Sequence, residues 1–172
     1  VDRLCSLDYA SSARLRTSTM ISRYRQMMER TVRTTIQSGN RYSSVPFDGA
    51  ELSSGEVVAG AQFEECTFRR CRFRAVVFRD CRFLRCAFDG CDLGGLEVPG
   101  STFSGCSFER CQLVGINWTE AAWPKVRLWP ALAFRSCVLN HSTMIGLGLL
   151  LQAIDCIARN VDWRQADLSD AD

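Results

Sequence analysis

Residues 61–118 read AQFEECTFRRCRFRAVVFRDCRFLRCAFDGCDLGGLEVPGSTFSGCSFERCQLVGINW. From Phe63 onward every fifth residue is bulky and apolar: Phe63, Phe68, Phe73, Phe78, Phe83, Phe88, Leu93, Val98, Phe103, Phe108, Leu113 and Trp118. Two residues before each stands a smaller one: Ala61, Cys66, Cys71, Val76, Cys81, Cys86, Cys91, Leu96, Ser101, Cys106, Cys111 and Ile116. The positions between are mostly polar or charged, with glycine recurring at Gly90, Gly95, Gly100, Gly105 and Gly115.

A period of five fits neither common element. On an α-helix five residues advance the face by about 140°, so the phenylalanines would spiral instead of forming a stripe. On a flat strand an odd step sends each successive Phe to the opposite side. For both positions to point inward every time, the chain must turn a corner every five residues. Four corners close a coil of twenty residues, and stacked coils bury a continuous core.

Residues twenty apart then stack at about 4.8 Å, the spacing of paired strands. Phe63, Phe83 and Phe103 form one predicted column and Phe68, Phe88 and Phe108 the next. Cys66, Cys86 and Cys106 form another, as do Cys71, Cys91 and Cys111, and Val76, Leu96 and Ile116. The charges agree, with Glu65 over Arg85, Arg69 over Asp89 and Arg72 over Asp92; like charges there would repel. The glycines on the beat are expected at the corners, where they relieve turn strain.

The pattern resembles the pentapeptide-repeat family, with its consensus A(D/N)Lxx and Phe or Leu at the centre. CTFRR, CRFRA, CRFLR, CAFDG, CDLGG, STFSG and CSFER match it, and ADLSD near the end matches very closely. The resemblance covers roughly residues 45–172. It implies an all-β fold, a right-handed quadrilateral β-helix; the spacing argument reaches only a four-sided solenoid, without the hand.

Around that core, residues 1–44 lack the beat and are read as an N-terminal extension. Ser18 is a candidate helix cap, with Met20, Tyr24, Met27, Met28 and Val32 on one face and Gly39 as a stop, giving a short helix at 18–37 or a weakly ordered arm. The solenoid is expected over 45–172, with an imperfect start near Phe47 and Leu52. It is interrupted at 119–133, TEAAWPKVRLWPALA, where two Trp-Pro pairs stand. Proline cannot donate to a ladder between coils. A loop is therefore expected there, with Trp123, Lys125, Arg127 and Trp129 as candidate partner contacts, because Trp and Arg dominate binding hot spots. The competing reading folds both tryptophans onto the core. The chain stops partway into another repeat, so either it continues naturally or its open end pairs with another subunit.

The formal net charge of +2 hides an asymmetry. Residues 1–44 carry eight arginines against Asp2, Asp8 and Glu29, residues 64–85 are again arginine-rich, and Lys125 is the only lysine. There is no run of eighteen apolar residues to span a membrane and no apolar core of a secretory signal, so a cytoplasmic location is expected. Nine of the ten cysteines, all but Cys5, occupy the small inward position. They read as core filler, unlike zinc ligands, which need convergent geometry. Stacked pairs such as Cys66 and Cys86 fall within disulfide reach, yet a reducing cytosol keeps them thiols.

No catalytic constellation is visible. His141 is the only histidine and reads as a solvent-facing or turn residue; neither GxxxxGK[ST] nor GxGxxG occurs. No enzyme activity, cofactor or metal is expected. Three readings of function stay open. The resemblance implies a protein-binding rod, since some family members bind bacterial type II DNA topoisomerase (DNA gyrase) and shield it from quinolones or peptide toxins, partly by mimicking acidic DNA. Against mimicry stand Arg69, Arg70, Arg72, Arg74, Arg79, Arg82 and Arg85. Those arginines raise the second reading, a nucleic-acid or anionic-surface binder. The third is an architectural protein with no dedicated ligand.

Overall fold

A computed structural model of the chain describes residues 35–123, 131–147 and 151–165. A residue pattern that turns every five positions leaves room for only three extended residues per side, and the strands have that length. They are β1 (Arg41–Ser43), β2 (Pro46–Asp48), β3 (Val57–Ala59), β4 (Gln62–Glu64), β5 (Thr67–Arg69), β6 (Val77–Arg79), β7 (Arg82–Leu84), β8 (Ala87–Asp89) and β9 (Thr102–Ser104), followed by the four-residue β10 (Cys106–Glu109), β11 (Leu132–Arg135) and β12 (Leu151–Ile154). All pairing is parallel. Face 1 is β1-β4-β7-β9, and face 2 is β2-β5-β8-β10-β11-β12. Face 3 is a row of single bridges, Glu51-Arg72-Asp92-Gln112-Val138-Ile157. Face 4 holds β3 and β6, then Glu97, and farther on Asn117, Thr143 and Asp162. The result is a four-sided β-solenoid of about five turns.

Each corner uses backbone in the left-handed region. The glycines on the beat, Gly90, Gly95, Gly100, Gly105 and Gly115, have φ between 61° and 73°. Other corners force side-chain-bearing residues into that region, including Arg70 (52°), Ala75 (52°), Asp80 (52°) and His141 (59°). Such strain persists only where the surrounding ladder holds it.

The core is built of ring columns. On face 1 the centroids of Tyr42 and Phe63 are 5.1 Å apart, those of Phe63 and Phe83 4.8 Å, and those of Phe83 and Phe103 4.9 Å. On face 2, Phe47, Phe68, Phe88 and Phe108 follow at 4.8, 4.5 and 4.7 Å. Neighbouring columns meet edge to face, as Phe78 does with Phe83. Phe63, Phe68, Phe73, Phe78, Phe83, Phe88, Leu93, Phe103, Phe108 and Leu113 are at most 4% exposed, and so are Cys66, Cys71, Cys81, Cys86, Cys91, Cys106 and Cys111.

Coil length varies around twenty. Arg41 pairs with Gln62 and Pro46 with Thr67, an offset of 21. The offset is 20 for Val57 with Val77 and Phe83 with Phe103, 26 for Phe108 with Phe134, and 19 for Leu132 with Leu151. The one-residue slip before Phe63 is thus an extra residue between Glu51 and Val57.

The structure adds residues to the front of the solenoid. The coils start before residue 45: Ile36 and Tyr42 are buried, and β1 pairs with β4. Tyr42 escaped notice because its hydroxyl makes it look polar. That hydroxyl accepts from the Gln37 N–H at 2.8 Å and donates to the Thr35 carbonyl at 3.0 Å, while the ring heads the Phe63 column. The helix expected at 18–37 lies outside the described residues except for 35–37, which are not helical.

Candidate functional site

The 119–133 break resolves into a well-defined position in the ladder. Ala122 N–H still donates to the Ser101 carbonyl at 2.8 Å, in step with the twenty-residue coil. Cys106 N–H donates to the Ala131 carbonyl at 2.9 Å, in step with an offset of 26. Six extra residues therefore lie between Ala122 and Ala131. The break is narrower than expected on both sides. Trp118–Glu120 form a 3-10 turn, with Thr119 N–H donating to the Asn117 side chain at 3.2 Å, and β11 has begun at Leu132.

Trp123 stands at the root of this insertion and is packed. Its indole N–H donates to the Trp118 carbonyl at 2.8 Å, and its ring lies 6.2 Å from Phe103, continuing the face 1 column. It is half-buried. The five-residue beat still governs Trp123, whose ring packs against Phe103 while part of it stays exposed. Lys125, Arg127 and Trp129 lie outside the described residues. Trp118 is fully buried between Phe103, Phe108 and Phe134, and its indole N–H has no acceptor among the described residues.

The arginines sort into two groups. Most reach back to the preceding coil: Arg70 to Asp48 at 2.5 Å, Arg72 to Glu51 at 3.0 Å, Arg85 to Glu64 and Glu65 at 2.9 and 3.0 Å, and Arg110 to Asp89 at 2.5 Å. Arg74 instead meets Asp92 at 3.6 Å. Of the three pairs read from the columns, only Glu65 with Arg85 forms. Arg69 and Asp89 are ladder neighbours, as are Arg72 and Asp92, but each carboxylate is taken by another arginine. A guanidinium on a long stem reaches diagonally past the residue directly opposite. Arg69, Arg79 and Arg82 make no ion pair among the described residues. The Arg70 hydrogen bonds hold the Asp48 carboxyl below the usual carboxylate range. These pairs are exposed and individually weak.

The cysteines are more than filler. Each described thiol except Cys156 donates to the carbonyl of an inward residue one coil back, for example Cys86 to Phe63 at 3.4 Å, Cys91 to Phe68 at 3.4 Å and Cys137 to Phe108 at 3.3 Å. Ser101 and Ser142 do the same to Phe78 and Leu113 at 2.7 and 2.8 Å. The small inward position thus offers a buried acceptor that Cys or Ser satisfies and Ala leaves alone. Burial pushes the Cys81 and Cys156 thiols up. All nine described cysteines are free thiols. Among the described residues no group of His, Cys, Asp and Glu is arranged to hold a metal ion, and no helix is long and apolar enough to cross a membrane. His141 sits exposed at a corner.

The family model described as "Pentapeptide repeat region" matches residues 61–143, the stretch that builds the regular coils and carries the insertion. Residues 61–143 are a pentapeptide-repeat region. Among solved structures, the pentapeptide-repeat coils are similar to HetL, a protein involved in heterocyst differentiation regulation in the cyanobacterium Nostoc sp. strain PCC 7120. The likeness has 13% identity and a TM-score of 0.54, over 78% of this chain and 60% of HetL. The chain therefore spans under two thirds of HetL's length. QnrB1, a plasmid-mediated fluoroquinolone resistance protein, aligns at 14% identity over 76% of this chain and 78% of its own, with a TM-score of 0.42. A pentapeptide repeat protein of the Arabidopsis thaliana thylakoid lumen aligns at 16% identity over 73% and 63%, with a TM-score of 0.22. No curated protein matches. The likeness to HetL shows the fold, the right-handed quadrilateral β-helix of pentapeptide-repeat proteins.

Proposed function

We propose that this chain is a non-enzymatic binding protein in which the solenoid serves as a rigid mount for the six-residue insertion. The observation that carries this reading is the ladder on either side of it. Twenty-residue register holds up to Ala122, 26-residue register holds from Ala131, and neither edge loses its hydrogen bonds. The regular ladder resumes beyond the insertion in the same face, and rigid scaffolds place function on segments that interrupt them. Lys125, Arg127 and Trp129 are the proposed contacts, and Trp123 is their anchor rather than one of them.

The partner class proposed is protein. A bacterial type II topoisomerase, DNA gyrase, is the first to test, with protection from quinolones or toxins as the consequence; this finer reading rests on the family resemblance and on the Trp and Arg content of the insertion. The free buried thiols suit a reducing compartment, and a cytoplasmic location belongs to the same proposal. The test is capture of purified gyrase on the immobilised protein, with a Lys125→Ala, Arg127→Ala, Trp129→Ala variant beside it. Retention by the parent and loss by a folded variant is the expected result. Retention by both would move the working surface to a coil face. Retention by neither would remove gyrase as the partner and favour the architectural reading.

A further inference from the structure

We propose that face 1 carries a phosphate-binding cleft formed by Arg41, Gln62 and Arg82. These three are consecutive partners along β1, β4 and β7. Their neighbours Tyr42, Phe63 and Phe83 are buried, so strand alternation turns all three outward into one column. Two ladder steps separate Arg41 from Arg82, roughly 9.6 Å along the column. Between them lies a cleft of about 240 Å³ lined by Arg41, Gln62, Phe63, Glu64, Arg82 and Leu84.

The hydrogen bonds around this cleft leave it a surface of donors. Arg41 Nε donates to Gln62 Oε1 at 3.2 Å, which uses the amide oxygen and leaves the amide NH₂ as a donor. Arg82 makes no ion pair among the described residues, unlike Arg70, Arg72, Arg74 and Arg85. Glu64 is the one carboxylate in the lining, and Arg85 holds it at 2.9 Å while holding Glu65 at 3.0 Å. Two guanidiniums and an amide NH₂ line the cleft beside a single carboxylate, whose charge Arg85 offsets.

Phosphate suits this arrangement better than a carboxylate does. A tetrahedral phosphate presents acceptors in several directions and can take bonds from both guanidiniums and the amide at once, whereas a carboxylate has two oxygens in one plane. The volume is below the range of drug-sized pockets, about 300–1,000 Å³, so it fits one or two phosphate groups and no base or sugar. The phosphate comes either as a free anion or from the backbone of a nucleic-acid strand.

The experiment titrates pyrophosphate, by isothermal calorimetry at low salt, and a short fluorescent single-stranded DNA, by anisotropy. It uses the full chain and its Arg41→Gln, Arg82→Gln and Arg70→Gln forms. Arg70 lies on face 2 against Asp48 and serves as a charge-matched control. All three arginines are exposed, and circular dichroism confirms that each variant is folded. The expected result is at least a fivefold loss of pyrophosphate affinity in the Arg41 and Arg82 variants, with Arg70→Gln within twofold of the parent. A parallel loss for DNA, with its salt dependence shallower by about one charge, assigns the phosphate to a nucleic-acid strand; a loss for pyrophosphate alone assigns it to a free anion. Absence of binding by both probes overturns the proposal, and so does an Arg70→Gln loss equal to that of Arg82→Gln, which would mean diffuse positive charge.

Discussion

Phe108 stacks on Phe134, twenty-six residues on, through the same parallel register that joins it to Phe88, twenty residues back. The ring centroids are 5.2 Å apart on the one side and 4.7 Å on the other. An insertion of six residues has therefore been absorbed with little change in the core beneath it. The physical reason is that each coil contacts only its neighbours; extra chain at a corner costs loop entropy, which grows slowly with length.

Phe83→Ala should be among the most damaging single substitutions. Its ring is held at 4.8 Å by Phe63, 4.9 Å by Phe103 and 5.3 Å by Phe78, and truncating such a residue costs about 3–5 kcal/mol. Chemical denaturation will show it as a lowered midpoint, and an unchanged midpoint would refute the column.

The repeat thiols should resist labelling in the native state. Burial raises the Cys81 thiol from its ordinary value of 9.0, so the folded thiol stays protonated where the unfolded one ionises. Its contribution to stability is therefore fully present below the unfolded value, begins to fall there, and is lost as pH rises on through the raised folded value. Labelling with a thiol reagent is expected to become fast only on unfolding, and stability to fall above about pH 9. Rapid native labelling of most thiols would contradict the burial.

The corners offer a paired test of backbone strain. Gly100 has φ 66°, and a Cβ there would also come 2.2 Å from Asp80 Oδ1. Ala75 carries a Cβ at φ 52°. Gly100→Ala is expected to cost about 1–2 kcal/mol, while Ala75→Gly should leave stability unchanged or raise it by up to about 1 kcal/mol, part of the relief being offset by unfolded-chain entropy. Thermal melts of the two variants will separate them.

Trp118 fills an inward position that the repeat usually gives to Phe, Leu or Val, and its buried N–H has no acceptor among the described residues. Such a group costs about 1–3 kcal/mol. Trp118→Phe should therefore stay within about 1.5 kcal/mol of the parent despite the lost ring, whereas Trp118→Ala should lose about 3–5 kcal/mol. Equal losses from both would mean the indole N–H is satisfied.

Most of the solenoid was legible because one physical requirement, an inward residue at every turn, repeats without exception from Phe63 to Trp118. The columns of Phe63, Phe83 and Phe103 and of Cys71, Cys91 and Cys111 follow from counting twenty. What counting missed has separate causes. Tyr42 hid behind a polar hydroxyl. Arg72 pairs with Glu51 on the coil behind it rather than with Asp92 ahead, and Asp92 and Asp89 are met diagonally by Arg74 and Arg110, because side-chain length decides these two pairs and backbone register does not. Trp123 read as a contact residue because the proline after it signals a loop, yet the beat still places its ring over Phe103. The hydrogen bonds from Cys86 and its equivalents to the coil behind have no sequence signal beyond the interchange of Cys and Ser at one position.

The proposed function requires the insertion to be separable from the coils that hold it. Replacing residues 124–130 by a single serine would bring the offset between Phe108 and Phe134 back to twenty while keeping Trp123 over Phe103 and removing both prolines from the ladder. Thermal unfolding of this variant, followed by circular dichroism, is the direct test. The expected result is the parent's β-signal with a melting temperature equal to or above the parent's, since a shorter loop lowers the entropy lost on folding. Loss of the β-signal, or a melt many degrees lower, would mean that the segment is part of the core and not a site mounted on it.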